Sequence, residues 1–214
     1  MQGKRILISG NIRGVGKELA LRLEREGAKL VVFCASDSDI EDNYDNIFVY
    51  KIVFNDADAL CGNFERALMV YGDFDCIINI ATVDSFKPIA EMETYQYSEI
   101  INNNLRSQFV LSREYARLLR DNKRRGGNVL NIVCTSGIPP KSGAEGYYSV
   151  KGGVKALTKA LAGSFEEYGV TTNCIIVENT DSCRDTNYEE IIDACLFVLS
   201  SDSIISGQTL EFRA

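Results

Sequence analysis

Short apolar runs alternate with longer amphipathic segments along almost the whole chain, and this pattern limits the fold more than any other feature. Seven runs rich in isoleucine, valine and phenylalanine predict strands buried on both faces of a sheet: residues 5–9, 29–34, 47–54, 76–81, 128–134, 171–177 and 208–212. Apolar residues at helical spacing predict helices at residues 15–26, 57–71, 94–122, 147–168 and 188–200. Strands that alternate with helices in this order predict an α/β fold, a doubly wound parallel sheet of about seven strands with helices on both faces.

No change of composition, internal repeat or low-complexity tract divides the 214 residues, so we expect one domain over residues 1–214. In open parallel sheets, ligands bind at the carboxyl ends of the strands, near the point where the strand order reverses. We therefore expect the chemistry at the ends of the first, fourth, fifth and sixth strands.

Composition excludes several kinds of function. The chain has no histidine, which removes Ser-His-Asp triads, Cys-His pairs and histidine-ligated metals. A net charge of −7 disfavours general binding to nucleic acid. Seven cysteines without a C-x-x-C pair favour reduced thiols over a disulfide framework or a metal site. No apolar run is long enough to span a membrane and no signal peptide is visible, so we expect a cytoplasmic protein.

Three glycines follow the first predicted strand and open the first helix: Gly10, Gly14 and Gly16. Glycine permits a tight turn and lets the backbone approach a phosphate closely. The helix N-terminus behind the turn offers free N–H groups and the positive end of a dipole. The placement predicts a dinucleotide-binding turn, although the spacing is G-x-x-x-G-x-G rather than G-x-G-x-x-G.

Tyr147 and Lys151 lie four residues apart at the start of a predicted helix, which places both side chains on one face. An ammonium beside a phenol stabilises the phenolate and lowers the pKa of the tyrosine, so we expect Tyr147 to act as an acid or a base near neutral pH. Tyr148 has Gly152 at the matching position and lacks such a partner.

Together these residues resemble the short-chain dehydrogenase/reductase family, and within it the bacterial 3-oxoacyl-acyl carrier protein reductases. The glycine turn resembles the family's cofactor motif with Ser9 in place of threonine, and residues 79–82 match two of four positions of its N-N-A-G motif. The resemblance implies a Rossmann-type fold and a nicotinamide cofactor. It implies catalytic roles for Asn104, Cys134, Tyr147 and Lys151. It implies cofactor contacts from Ser9, Gly10, Ile12, Arg13, Gly14, Val15, Gly16, Ser36, Asn79, Ala81, Tyr147, Lys151 and Ser182.

Two departures from the family lie at the expected catalytic centre. Cys134 stands where the family has its catalytic serine, thirteen residues before the tyrosine, and a thiol is a weaker hydrogen-bond donor than a hydroxyl. Thr135 or Ser136 can supply the donor instead if the strand end is shifted, although Gly137 keeps the normal register. A separate alternative is that Cys134 is simply a small buried residue. Glu178 belongs to a Val-Glu pair that replaces the family's Pro-Gly turn, where it can crowd the cofactor phosphates or point to solvent.

Two further departures concern the substrate lid and the cofactor. Only residues 181–189 separate the sixth strand from the next helix, so the family's substrate lid is essentially deleted and we expect an open site or one covered by another subunit. Thr82 replaces the last glycine of the N-N-A-G motif, and Val53 replaces an aspartate that touches adenine in the family. Both changes weaken the case for tight cofactor binding.

The choice between NADP and NAD depends on the end of the second strand, where an acidic residue favours NAD. Residues 34–36 carry no acid, while Arg13 and Ser36 are suited to a 2′-phosphate. Asp37 and Asp39 favour NAD mildly. We therefore predict NADP(H), with NAD(H) as the alternative.

The family resemblance implies an NADP(H)-dependent oxidoreductase that reduces a 3-oxoacyl or small ketone carbonyl, or oxidises the matching alcohol. The alternative is a degenerate member that catalyses little and serves as the partner or regulatory subunit of a heteromeric reductase. The absence of a substrate domain after the last strand disfavours a nucleotide-sugar epimerase. The resemblance also implies a homodimer or homotetramer built on helices 94–122 and 147–168, or a heteromer with a catalytic homologue.

Overall fold

The computed structural model describes residues 1–35, 40, 44–83, 87–135, 143–178, 188–200 and 204–213. Within these ranges, seven parallel strands form one sheet: β1 (Arg5–Gly10), β2 (Lys29–Cys34), β3 (Ile47–Lys51), β4 (Cys76–Val83), β5 (Gly127–Thr135), β6 (Val170–Glu178) and β7 (Thr209–Arg213). The helices in the same ranges are α1 (Val15–Arg25), α2 (Ala57–Tyr71), α3 (Thr94–Ile101), α4 (Ser107–Asp121), α5 (Glu145–Phe165) and α6 (Glu189–Leu199). Short 3-10 turns occupy Ile89–Glu91 and Glu166–Tyr168. The predicted doubly wound α/β fold is confirmed.

The strand order is β3-β2-β1-β4-β5-β6-β7, so the direction of winding reverses between β1 and β4. Gly10, the last residue of β1, lies opposite Cys34 of β2 on one side and Ile80 of β4 on the other. This junction is the switch point at which open parallel sheets bind ligands.

The sheet is buried on both faces, which explains why the apolar runs do not alternate with polar residues. Ile6 and Ile8 of β1 pack in the cluster that contains α1 and α6 residues, while Leu7 packs on the opposite face with residues of α2 and α4. In the part of the chain that is described, no helix is both long and apolar enough to cross a bilayer.

The predicted strand 47–54 is too long. β3 is an edge strand that pairs only with β2, and its register ends at the pair Cys34 and Lys51. The last bond of this edge runs from the N–H of Ile52 to the carbonyl of Cys34, at 2.8 Å. Beyond it β2 offers no further partner, and residues 52–54 line a cavity instead.

The predicted single helix 94–122 is interrupted. Between α3 and α4 the chain forms one π-helical segment, Asn102–Arg106. Such wide turns insert a residue into a helix and occur often at functional sites. Here the inserted turn carries Asn104, which is buried against the end of β4.

Candidate functional site

The glycine turn has the geometry of a phosphate cradle. Gly10 adopts a φ of +122°, and a Cβ there would overlap the carbonyl oxygen of Ile80. Gly14 adopts a φ of +47° as the N-cap of α1 and has no side chain that could cap this helix start, while the N–H of Gly16 donates to the carbonyl of Arg13 at 2.9 Å. A Cβ on Gly16 would lie 2.9 Å from Cδ1 of Ile80, so this glycine lets α1 pack closely on the sheet. A tight glycine turn at the start of a helix fits a pyrophosphate.

A cavity of about 460 Å³ opens beside this turn, at the carboxyl ends of β1 to β4. Its wall includes Asn11, Lys51 and Val53. Val53 is 63% exposed, so the residue that replaces the family's aspartate gives this wall an apolar surface. The volume lies in the ordinary range for small-molecule and cofactor sites.

Asn11 lies inside the glycine turn, but it is not among the cofactor contacts that the sequence predicts. Its side-chain Oδ1 is buried and has no hydrogen-bond partner among the described residues. An unsatisfied buried acceptor that lines a cavity is suited to a donor group on a ligand. Its position between Gly10 and Gly14 was the available signal.

Beneath the cavity, four buried polar side chains form a chain of hydrogen bonds across the sheet. Ser9 Oγ donates to Asn79 Oδ1, and Asn79 Nδ2 donates to Asn131 Oδ1. Asn131 Nδ2 then donates to Thr158 Oγ1, and each of the three bonds is 2.9 Å long. The structure therefore places the side chains of Ser9 and Asn79 under the site, where they tie β1, β4, β5 and α5 together.

The π-helical turn fixes Asn104 at the end of β4. The side-chain Oδ1 accepts a hydrogen bond from the backbone N–H of Thr82 at 2.9 Å, and Nδ2 donates to the carbonyl of Ile100 at 3.0 Å. Both groups of the amide are thus engaged with backbone. Asn104 lines the same cavity as Thr82 and Gly10.

Tyr147 lies in the first turns of α5 and is 0% exposed. Its side chain packs with Ala81 of β4 and Val133 of β5. The phenol oxygen is buried and has no hydrogen-bond partner among the described residues. A buried hydroxyl that the protein leaves unpaired is costly unless a ligand completes it.

Lys151 does not lower the pKa of Tyr147 in this structure, contrary to the sequence expectation. Its ammonium donates to Glu178 Oε1 at 2.5 Å and to Glu211 Oε2 at 3.1 Å. Burial, and next the negative charge of Glu178, raise the pKa of Tyr147 well above its ordinary value. Burial would lower the pKa of Lys151, but its bonds to Glu178 and Glu211 outweigh this and raise it.

Glu178 therefore takes a place that neither sequence alternative anticipated, because it forms an ion pair with Lys151. Cys134 lies at the end of β5, opposite Thr82 and Val177. The thiol is buried and packs in the cluster on the α1 and α6 side of the sheet, which agrees with the alternative of a small buried residue.

The remaining predicted contacts divide into two groups. Arg13 and Ile12 lie in the glycine turn, and Val15 is buried in the first turn of α1. Ser36 and Ser182, as well as Ser136 and most of the interval 181–189, lie outside the described residues.

Known proteins resemble the chain over nearly all of its length. The family described as short chain dehydrogenase matches residues 4–190, which include the glycine turn and the Tyr147–Lys151 pair. The 3beta-hydroxysteroid dehydrogenase 2 of Eggerthella lenta is 27% identical over 85% of this chain and 73% of its own length. The 3-oxoacyl-acyl-carrier-protein reductase FabG of Haemophilus influenzae is 26% identical over 99% of this chain and 97% of its own length.

Solved structures show the same fold. A short-chain dehydrogenase from Leptospira borgpetersenii with bound NAD+ superimposes with a TM-score of 0.87, at 21% identity, over 99% of this chain and 91% of the other. A short-chain dehydrogenase/reductase from Serratia marcescens superimposes with a TM-score of 0.82, at 25% identity, over 99% and 96% of the two chains.

Proposed function

Because this chain belongs to the short-chain dehydrogenase/reductase family and is an oxidoreductase acting on CH–OH groups, we propose that it is an NADP(H)-dependent carbonyl reductase. Its substrate is a 3-oxoacyl thioester or a small ketone, or the matching alcohol in the reverse direction. The proposal depends most on the phenol of Tyr147. This hydroxyl is buried and makes no hydrogen bond to the described residues, so it can donate its proton to a bound substrate. The names of the FabG relatives support the 3-oxoacyl choice.

The residues present fit a nicotinamide dinucleotide. The glycine turn and the start of α1 would hold the pyrophosphate, and the cavity beside Asn11 and Val53 would hold the adenine end. When bound, the cofactor supplies or accepts a hydride at the substrate carbon. The phenol of Tyr147 donates its proton to the carbonyl oxygen as that oxygen gains charge, and takes the proton back in the reverse direction.

The other side chains position these groups. Lys151 would hold the ribose next to the nicotinamide, and Asn104 would position Lys151 through water. Cys134 would occupy the place from which a donor orients the carbonyl. Since a thiol donates weakly, we propose that this position limits the rate.

Cys134→Ser is expected to raise turnover of a suitable ketone or 3-oxoacyl thioester by about ten-fold or more, because a hydroxyl donor of similar size replaces a weak one. Turnover is measured across a panel of ketones and thioesters with NADPH and NADH, beside calorimetric titration of each nucleotide. Cys195→Ser, which changes another buried thiol of the same apolar cluster, is the matched control and should not raise turnover.

Two outcomes would contradict this proposal. Turnover at background in a folded Cys134→Ser protein that binds nucleotide would remove the role of this position. A native protein that binds neither nucleotide would be reassigned to the alternative function, a partner or regulatory subunit of a heteromeric reductase.

We propose that the cofactor is NADP(H), because neither Cys34 at the end of β2 nor the following Ala35 is acidic, and Lys51 adds a positive charge to the cavity wall. Arg13→Ala should remove most of a preference for NADPH over NADH, because a hydrogen bond to a charged group contributes about 1.5–3 kcal/mol. Calorimetry measures both affinities, with Arg25→Ala at the far end of α1 as control. Equal affinities of the native protein for the two nucleotides would refute it.

We also propose a homodimer or homotetramer built on α4 and α5, with a heteromer as the alternative. Val150, Val154 and Phe165 of α5 are buried on the sheet. The opposite side of α5 carries Gly152, which has open space around it, and Phe109 of α4 is exposed.

We also propose a cytoplasmic location. The six cysteines that the structure describes are all free, which is consistent with a reducing compartment.

A further inference from the structure

Four side chains form an ionic cluster where α5 crosses the end of β6 and the middle of β7. Lys151 bonds Glu178 at 2.5 Å and Glu211 at 3.1 Å, and Lys155 bonds Glu211 at 2.7 Å. The cluster is graded in exposure, since the side chains of Lys151 and Glu178 are 14% and 20% exposed while those of Lys155 and Glu211 are much more open. Solvent and salt therefore screen the Lys151–Glu178 pair least.

The two carboxylates are not equivalent partners of Lys151. Glu211 divides its oxygens between Lys151 and Lys155, so it has a second cation to bind if one is withdrawn. Glu178 makes the shorter bond to Lys151, from the last residue of β6 at the carboxyl edge of the sheet. Glu178 is thus the less exposed, and the less screened, of the two carboxylates that bond Lys151.

We propose that Glu178 is a positioning residue that binds the ammonium of Lys151 and competes for it with the ribose hydroxyls of the nicotinamide nucleotide. This inference rests on the proposed function, in which Lys151 holds that ribose. Two of the three N–H donors of Lys151 already bond Glu178 and Glu211, so an ammonium that also bonds both ribose hydroxyls has to release a carboxylate. Glu178 therefore lowers the affinity for the cofactor by holding Lys151. It stands at the position where the family has a Pro-Gly turn.

Glu178→Gln tests this directly, because it removes the charge and keeps the shape. We expect NADPH or NADH, whichever the native protein binds better, to bind about ten-fold more tightly, since a hydrogen bond between charged groups no longer has to be given up. Glu211→Gln is the matched control. It removes a carboxylate from the same cluster but leaves the Lys151–Glu178 pair in place, so its effect on affinity should be clearly smaller.

A double-mutant cycle separates competition for Lys151 from simple repulsion of the cofactor phosphates. In a Lys151→Met background, Glu178→Gln should no longer tighten binding. An equal gain in that background would assign the effect to repulsion and overturn the inference. Unchanged or weaker binding by Glu178→Gln in the native background would overturn it as well.

A measurement without nucleotide distinguishes failure of this inference from failure of the proposed function. In protein with 15N-labelled lysine, the Lys151 ammonium should exchange slowly with water, and Glu178→Gln should accelerate the exchange while Glu211→Gln changes it less. Exchange at the same rate in native protein and Glu178→Gln would refute the ion pair itself. Slow exchange without binding of either nucleotide to any variant would keep the ion pair, refute the competition, and remove the proposed function.

Discussion

Replacing Tyr147 by phenylalanine is expected to lower carbonyl reduction by about 10²–10⁴-fold without lowering the stability of the fold, because general acid catalysis typically contributes that much. The stability half of this expectation follows from the structure. The phenol oxygen is buried and makes no hydrogen bond to the described residues, so its removal costs no protein contact there. Steady-state turnover and the melting temperature measure the two halves.

Two other tyrosines provide matched controls for the same substitution. Tyr115 is also buried, but its hydroxyl donates to the carbonyl of Asp75 at 3.0 Å. Tyr115→Phe should therefore destabilise the protein by about 0.5–1.5 kcal/mol and leave turnover unchanged. Tyr148 is 52% exposed, and Tyr148→Phe should change neither quantity appreciably.

The opposite pattern would identify Tyr147 as a structural residue. If Tyr147→Phe destabilised the protein as Tyr115→Phe is expected to do, while the folded protein kept its turnover, the phenol would have no catalytic role. Turnover that persists at the native level in a stable Tyr147→Phe protein would have the same meaning.

The raised pKa of Tyr147 makes the two directions of the reaction respond differently to pH. Burial and the charge of Glu178 keep the phenol protonated throughout the neutral range. Reduction needs the protonated phenol, so it should not decline as the pH rises through neutrality. Oxidation of the alcohol needs the phenolate and should increase with pH. Profiles of turnover against pH in both directions measure this, and a decline of reduction near neutral pH would contradict it.

The fold was predictable because its strands are buried on both faces. Residues 76–81, for example, do not alternate between apolar and polar residues as a half-exposed strand does, and the run is too short for a helix. The end of β3 was not predictable in the same way. Residues 52–54 are as apolar as a strand, but whether they pair depends on the length of β2, which local sequence does not encode.

The candidate site was predictable where backbone conformation dictates the residue type. A positive φ requires glycine, so the sequence itself shows where such a turn lies. The π-helical turn around Asn104 has no such signal, because its sequence continues an ordinary helical pattern. The ion pair between Lys151 and Glu178 could not be predicted from the sequence either. It joins α5 to the end of β6, so it exists only once the sheet has formed.

Gly10→Ala is expected to cause a large loss of stability, and with it the loss of nucleotide binding. Two penalties add at this position. A φ of +122° is strained for any residue with a Cβ, at about 1–3 kcal/mol. The new methyl group would also overlap the carbonyl oxygen of Ile80, which is backbone of the neighbouring strand and cannot turn aside as a side chain does.

Gly62→Ala makes the same chemical change where neither penalty applies. Gly62 lies within α2, and a Cβ there has nothing within 4 Å. It should stabilise the protein by about 0.5–1 kcal/mol, because alanine is the better helix former. Urea denaturation of both variants and titration with NADPH and NADH measure the contrast.

Gly10→Ala that was as stable as the native protein and bound nucleotide equally well would contradict this prediction. β1 would then not approach β4 this closely, and the turn would be too open to hold a phosphate tightly. If instead it folded normally but lost only nucleotide binding, the close approach would serve the ligand rather than the sheet.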